Sequence, residues 1–138
     1  MIAPYVMDAC ALIAFLRKET GWENVKTILL CAFNNTAVIY MHEFNLLEVY
    51  YDMYRTINKE KADEEIKMIR HLPMIFNSIL SDDIFKEAGR FKASYKISLA
   101  DAVALAQASV TEATLLTCDH HEFDVIETIE PIQFLWIR

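Results

Sequence analysis

A chain of 138 residues can bury a hydrophobic core of its own, so we expect one domain over residues 1–138. The hydrophobic fraction of 54% excludes a disordered chain, and two glycines and three prolines are too few for a turn-rich β-sandwich. The formal net charge of −7 excludes a protein that attracts nucleic acid through an overall positive field.

Strands and helices are predicted to alternate along the chain. Short apolar or β-branched runs predict the strands, and apolar residues at helical spacing predict the helices. This alternation predicts a three-layer α/β/α sandwich, rich in helix, with a central parallel sheet. The predicted strands are 3–7, 36–41, 73–80, 113–118 and 132–137, the predicted helices are 9–18, 22–33, 42–57, 59–72, 82–95 and 98–110, and 120–130 is predicted as a loop.

The three cysteines, Cys10, Cys31 and Cys118, are an odd set without a C-x-x-C spacing. We therefore expect free thiols in a reducing compartment. The only close histidines, His120 and His121, are direct neighbours in sequence, which does not suit a zinc site.

Neither a signal peptide nor a membrane span is predicted. The amino terminus has no basic region, and Asp8 interrupts its first apolar run. The longest uncharged segment, Thr27 to His42, is too short to cross a bilayer. We expect a soluble, cytoplasmic protein.

Four acids stand at positions that suggest chemistry, although each also has a structural interpretation. Asp8 and Asp119 directly follow predicted strands, where Asp is often a helix cap or turn residue. Asp101 follows Ser98 by three residues, as in a capping box. Glu48 lies at the rim of an apolar helix face, where a carboxylate is poorly solvated unless it has a partner.

The predicted sheet would bring these acids together. The carboxyl ends of parallel strands meet at one edge, and the helices that carry Asp101 and Glu48 begin at the same edge. Four crowded carboxylates repel one another unless a divalent cation holds them. Ligands that are all oxygen indicate Mg²⁺ or Mn²⁺.

Four segments then show a resemblance to a known family. The strings YVMDACALI, NLLEVYYD, ISLADAVALA and LLTCDHHEF resemble the PIN domain, in particular VapC-type toxins of toxin–antitoxin pairs. The likeness covers essentially the whole chain. It implies a PIN-like fold and a metal-dependent endoribonuclease in which Asp8, Glu48, Asp101 and Asp119 bind Mg²⁺ or Mn²⁺ and a water attacks the RNA phosphodiester.

The resemblance also implies supporting residues and partners. Thr117 would orient the site, and Glu122 would supply a further acid. Ser98, the predicted cap of the helix that carries Asp101, is expected beside the metal ligands. Cys10 stands where the family usually has Ser or Asn, which removes a polar hydrogen bond there. The implied partners are RNA and a cognate antitoxin, and the high apolar and aromatic content predicts a homodimer.

An RNA substrate requires local positive charge in an acidic chain. The candidate phosphate contacts lie near helix ends or on charged faces, and a solvated surface is the alternative for each: Arg17, Lys18, Arg55, Arg90, Lys92 and Lys96. The tyrosines Tyr50, Tyr51 and Tyr54 could stack bases, but core or dimer packing is favoured for them.

Three other functions remain as alternatives. An aspartyl-phosphate phosphatase would want a second acid two residues after Asp8, where Cys10 stands. A receiver domain would want an acid after a middle strand, whereas the second predicted strand ends in Met41-His42. The stronger alternative is a PIN-fold interaction module with weak or no nuclease activity.

Overall fold

The computed structural model describes residues 2–138 and contains five strands and seven helices within that range. None of these helices is long and apolar enough to cross a membrane. In chain order the elements are β1 (Ala3–Met7), α1 (Ala9–Arg17), α2 (Trp22–Phe33), β2 (Ala37–His42), α3 (Glu43–Thr56), α4 (Lys59–Ile69), β3 (Ile75–Asn77), α5 (Asp82–Ser94), α6 (Leu99–Thr111), β4 (Thr114–Thr117), α7 (His120–Ile129) and β5 (Phe134–Trp136).

The five strands form one parallel sheet in the order β3-β2-β1-β4-β5. The chain builds the sheet outward from β1 in one direction and then returns to the other side of β1 to form β4. The strand order therefore reverses between β1 and β4, and ligands of open α/β sheets bind at the carboxyl edge of such a point. Asp8 and the Cys118-Asp119 pair leave the sheet there.

Helices cover both faces of the sheet, because the central strands are apolar on both sides. Val6 and Leu115 pack into a core with α5, α6 and α7. Met7 and Leu116 pack into a second core with α1, α2, α3 and α4. Strands buried on both faces are typical of parallel sheets. The predicted three-layer α/β/α sandwich is confirmed.

The segment predicted as a loop over residues 120–130 is instead helix α7, and the prediction was wrong. Asp119 caps this helix by accepting a hydrogen bond from the Glu122 N–H at 3.2 Å. Phe123 and Ile126, at helical spacing, are fully buried. The apolar stripe is short and lies among acids, which hides its period. The third and fifth strands, at the two edges of the sheet, are shorter than predicted.

Cys10 and Cys118 form a disulfide, with their Cα atoms 6.0 Å apart. The expectation of free thiols was therefore wrong for these two residues, while Cys31 is free. The bond joins the first turn of α1 to the residue that follows β4. Cysteines that are distant in sequence can pair when adjacent parallel strands bring their ends together, which a spacing rule does not detect.

Candidate active site

Asp8 is a fully buried acid at the end of the central strand. It caps helix α1, and its Oδ1 accepts a hydrogen bond from the Ala11 N–H at 2.9 Å. Its other oxygen accepts a hydrogen bond from the Thr117 hydroxyl. The carboxylate is thus held from two sides, by the start of α1 and by the end of β4. The helix-cap interpretation of Asp8 is correct, and it does not exclude a second role.

Thr117 connects two of the acids across the switch point, the place between β1 and β4 where the strand order reverses. Besides donating to Asp8, its Oγ1 accepts a hydrogen bond from the Asp119 N–H at 3.1 Å. Glu122 gives its backbone N–H to the Asp119 side chain, so the turn after β4 is fixed by consecutive polar contacts. The side chains of Asp8 and Asp119 belong to one connected arrangement.

Asp101 lies in the first turn of α6, where Ser98 caps the helix. The Ser98 hydroxyl accepts a hydrogen bond from the Asp101 N–H at 3.1 Å, so Ser98 acts through the backbone. Asp101 is half-buried. Since α6 returns antiparallel to the strands, its first turn lies at their carboxyl edge.

Glu48 occupies the second turn of α3 and is also half-buried. Its Oε1 is shielded from solvent and has no hydrogen-bond partner among residues 2–138. A buried carboxylate oxygen without a donor is costly, and such an atom needs an explanation. A bound cation would provide the missing partner.

Asn45 was not among the predicted site residues. It lies three positions before Glu48 and therefore on the same side of α3. The residue is 0% exposed, yet neither atom of its amide has a hydrogen-bond partner within residues 2–138. The only sequence signal was an uncharged amide one turn before an acid on an otherwise apolar helix face.

Burial and neighbouring charge raise the pKa of three of the four acids. Burial is the main cause that raises the pKa of Asp8 to about 7, against the hydrogen bonds from Thr117 and Ala11. Burial also raises the pKa of Asp101 to about 7, and the charges of the other three acids add to it. Burial and the charge of Asp119 raise the pKa of Glu48. The Asp119 carboxylate contributes to the raised pKa of each of these three acids, as expected for like charges at one edge of the sheet.

The donor chemistry of this acid cluster, defined as Asp8, Glu48, Asp101 and Asp119, fits a hard divalent cation. All its ligating atoms are carboxylate oxygens, and one of them is buried without a partner. Among the residues from 2 to 138, no three His, Cys, Asp or Glu side chains already form a group that could hold a metal ion. Carboxylates without a countercharge repel one another, so binding would require their side chains to turn toward a common point.

The sequence suggested only that Cys10 lacks the hydrogen bond that Ser or Asn would make at this position. In the structure Cys10 forms a covalent bond instead. Its partner, Cys118, is flanked by Thr117 and Asp119. The disulfide therefore connects the helix that begins at Asp8 with the turn that carries Asp119. It fixes the two segments relative to each other on the α1 side of the sheet.

Most of the predicted phosphate contacts already have partners. Asp52 lies 2.6 Å from Arg17 and 3.2 Å from Arg55. Arg90 forms ion pairs with Glu87 and Glu130, each at 2.9 Å. Lys18 lies 5.6 Å from the ring centroid of Trp22, and Lys92 donates to the Ile97 carbonyl at 2.7 Å. Lys96 is exposed, two residues before the Ser98 cap.

Solved structures with this fold include several toxin–antitoxin proteins. DNA-bound VapBC from Salmonella typhimurium matches with a TM-score of 0.70 and 14% identity, covering 100% of both chains. VapBC2 from Rickettsia felis, bound to a promoter DNA fragment, matches with a TM-score of 0.70 and 16% identity over 96% of this chain and 97% of that chain. VapC20 from Mycobacterium tuberculosis, a sarcin–ricin loop cleaving toxin, matches with a TM-score of 0.61 and 12% identity over 80% and 86% of the chains.

These identities are low, so the likeness to solved structures concerns the fold. No curated protein matches the chain significantly. The family model of the PIN domain matches residues 5–128, which include the whole acid cluster. The chain therefore belongs to the PIN domain family.

Proposed function

We propose that this protein is a Mg²⁺- or Mn²⁺-dependent endoribonuclease whose metal ligands are Asp8, Glu48, Asp101 and Asp119. One observation carries the proposal: the four acids come from four separate segments that begin or end at the same edge of the sheet, and the Glu48 Oε1 is buried there without a partner among residues 2–138. Such an arrangement disfavours four negative charges unless a cation is present. PIN domain membership adds the nuclease activity typical of this family.

The bound cation would polarise the scissile phosphate and lower the pKa of an attacking water. The chain supplies the placement. Asp8 is immobilised by Thr117 and Ala11, which suits a ligand with a fixed position. Asp101 is half-buried in the first turn of α6, which suits a second ligand at the same edge of the sheet. Cleavage with this geometry would leave a 5′-phosphate and a 3′-hydroxyl.

We also propose that the protein is a toxin that binds a cognate antitoxin and forms a homodimer. The proteins from Salmonella typhimurium and Rickettsia felis that share this fold are VapBC assemblies. Helix α3 and the residue that follows it expose about half of each of several large apolar side chains, which suits a surface that another chain covers: Leu47, Tyr51, Tyr54 and Ile57. A short reading frame beside the gene would support the antitoxin, and a monomer by light scattering would exclude the homodimer.

The alternative is an interaction module with little nuclease activity. Two observations favour it: three of the six candidate phosphate contacts, Arg17, Arg55 and Arg90, are paired with acids, and the net charge is −7. The two functions differ in their response to metal. An interaction module would bind its partner without Mg²⁺ and would not cleave RNA.

The test is cleavage of single-stranded and structured RNA in Mg²⁺ or Mn²⁺ by the wild type and by the variants Asp8→Asn and Asp101→Asn. Each substitution removes one charge at nearly constant shape. We expect cleavage by the wild type and a loss of at least 100-fold in both variants. Asp83→Asn, an exposed acid in the first turn of α5, is the matched control and should cleave normally. Equal cleavage by all four proteins would exclude this site.

A further inference from the structure

Three aromatic rings stack beside the acid cluster. The imidazole of His120 lies on the indole of Trp136, with ring centroids 3.9 Å apart and planes 11° apart. The indole in turn stacks with Phe134, with centroids 5.4 Å apart and an interplanar angle of 9°. Phe134 packs against Phe123, which is fully buried. The stack thus starts in the core and ends at the surface with His120.

The outermost ring is held in place by contacts at its edge. One ring nitrogen of His120 lies 2.7 Å from an Asp124 oxygen, and the other lies 2.8 Å from the Arg138 carbonyl. Even so, 49% of the His120 side chain is exposed. Because one face and both nitrogens are occupied, that exposure belongs mainly to the opposite face and the carbon edge. The geometry presents a flat ring whose orientation is fixed.

The register of the sheet places this ring next to the acids. Trp136 pairs with Thr117 between the parallel strands β4 and β5, so their side chains lie on the same face of the sheet. Neighbouring strands are about 4.8 Å apart. Thr117 is the residue that donates to Asp8, and His120 directly follows Asp119. A nucleotide whose phosphate lay at the acid cluster would have its base within reach of the ring.

We propose that His120, supported by Trp136 and Phe134, is a stacking platform for the base beside the scissile phosphate. This inference rests on the proposed ribonuclease function. Every base has a π-face, so such a platform holds single-stranded RNA without reading its sequence. Stacking would also supply affinity for RNA that Arg17, Arg55 and Arg90 do not supply while they are paired with acids.

A purely structural role is the competing explanation, because His120 also ties α7 to the carboxyl-terminal Arg138. Two substitutions separate the roles. His120→Phe keeps a flat ring and loses both edge contacts, whereas His120→Ala loses the ring as well. If the edge contacts alone matter, the two variants fail alike. If stacking matters, the phenylalanine variant keeps the function. His121→Ala, the exposed neighbouring histidine, is the matched control.

Binding is measured in the Asp101→Asn background with Mg²⁺, so that cleavage does not interfere. The probes are a fluorescently labelled oligoadenylate and an abasic oligonucleotide of the same length, which has the same phosphates and no bases. We expect the oligoadenylate to bind about 5- to 150-fold more tightly. His120→Ala should remove that difference, while His120→Phe and His121→Ala should keep it. Equal binding of both probes by the parent, an unchanged difference in His120→Ala, or its loss in His120→Phe would overturn the platform.

Cleavage is then measured separately, in the background with all four acids intact. If the wild type cleaves RNA but His120→Ala does not change the difference in affinity between the two probes, the platform is rejected and the nuclease is kept. If the wild type does not cleave RNA but the difference in affinity between the two probes depends on His120, the nuclease is rejected and base stacking is kept. The two proposals can therefore fail independently.

Discussion

Asp8 combines two tasks that place opposite demands on its charge. As the cap of α1 it accepts a hydrogen bond from Ala11, which favours the ionised form. Its burial disfavours that form more strongly, so that its pKa rises from 3.8 to about 7. A cation at the acid cluster would let Asp8 keep its charge at neutral pH. The metal-free protein is expected to show the cost of this burial.

The raised pKa predicts that the metal-free protein loses stability as the pH rises. An unfolded Asp8 ionises near pH 3.8, whereas the folded residue stays protonated up to about pH 7. The resulting stabilisation is complete below pH 3.8 and disappears as the pH passes through 7. Between pH 5 and pH 8 this amounts to about 3 kcal/mol. Thermal unfolding in EDTA should therefore give a lower Tm at pH 8 than at pH 5.

Asp8→Asn cannot ionise and should make this pH dependence smaller, leaving the part that Asp101 and Glu48 contribute, while the exposed control Asp83→Asn should leave it unchanged. Added Mg²⁺ should raise the Tm of the wild type more at pH 8 than at pH 5. If the Tm of the wild type and the Tm of Asp8→Asn change equally with pH, Asp8 does not cause the loss of stability.

The buried amide of Asn45 is expected to lower the stability of the protein and to support its activity. Its buried amide has no partner within the part of the chain that the structure describes, so replacing it with a similarly shaped apolar group removes an unsatisfied group. We expect Asn45→Leu to raise stability by about 1 to 3 kcal/mol and to lower RNA cleavage at least 10-fold, because the acid cluster loses a nearby amide. Denaturant unfolding and cleavage rates measure the two effects.

Gln107 offers a comparison for Asn45. It is also a buried amide, in the later part of α6. Its Nε2 donates to Asn77 at 2.6 Å, while its Oε1 has no partner within residues 2–138. Gln107→Leu should lose this contact and leave the cleavage chemistry intact. If Asn45→Leu destabilises the protein and cleaves normally, the amide has an ordinary packing role.

At the scale of elements, the helix starts were predictable, because their signals are local. Ser98 and Asp101 form a cap within four residues, and the apolar run after them marks α6 without reference to the rest of the chain. Helix α7 was not predicted, since its burial depends on contacts such as that of Phe123 with Phe134 of β5, which only the folded chain provides. The stack of His120 on Trp136 was missed for the same reason.

The turn between α1 and α2 provides a prediction about glycine. Gly21 has a φ of +93°, and a Cβ there would lie 2.1 Å from the Ile137 carbonyl oxygen. Gly21→Ala should therefore destabilise the protein by about 2 kcal/mol or more, through backbone strain and displacement of the residues that follow the last strand. Gly89 in α5 has no atom within 4 Å of such a Cβ, so Gly89→Ala should stabilise the protein by about 0.5 to 1 kcal/mol. Equal effects in denaturant unfolding would contradict the close approach at Gly21.

At the scale of the whole molecule, the convergence of the acids follows from topology. Asp8 and Asp119 follow strands on the two sides of the switch point, while α3 and α6 begin at the same edge. A parallel sheet forces this arrangement, and for that reason the acid positions in sequence were informative. The pairing of Cys10 with Cys118 depends on the same convergence, yet it was not predicted, since sequence alone favoured free thiols.

The disulfide closes a long loop and should contribute substantially to stability. Its cysteines are 108 residues apart, so the bond restricts most of the unfolded chain. The loop-closure estimate for this length is about 4 to 5 kcal/mol. We therefore expect a strong reductant, or the double substitution of Cys10 and Cys118 by serine, to lower the Tm by well over 10 °C. Cys31→Ser should unfold as the wild type does, because Cys31 is free. Thiol counting under denaturing, non-reducing conditions should give one thiol per chain, and three thiols with an unchanged Tm after reduction would exclude the bond.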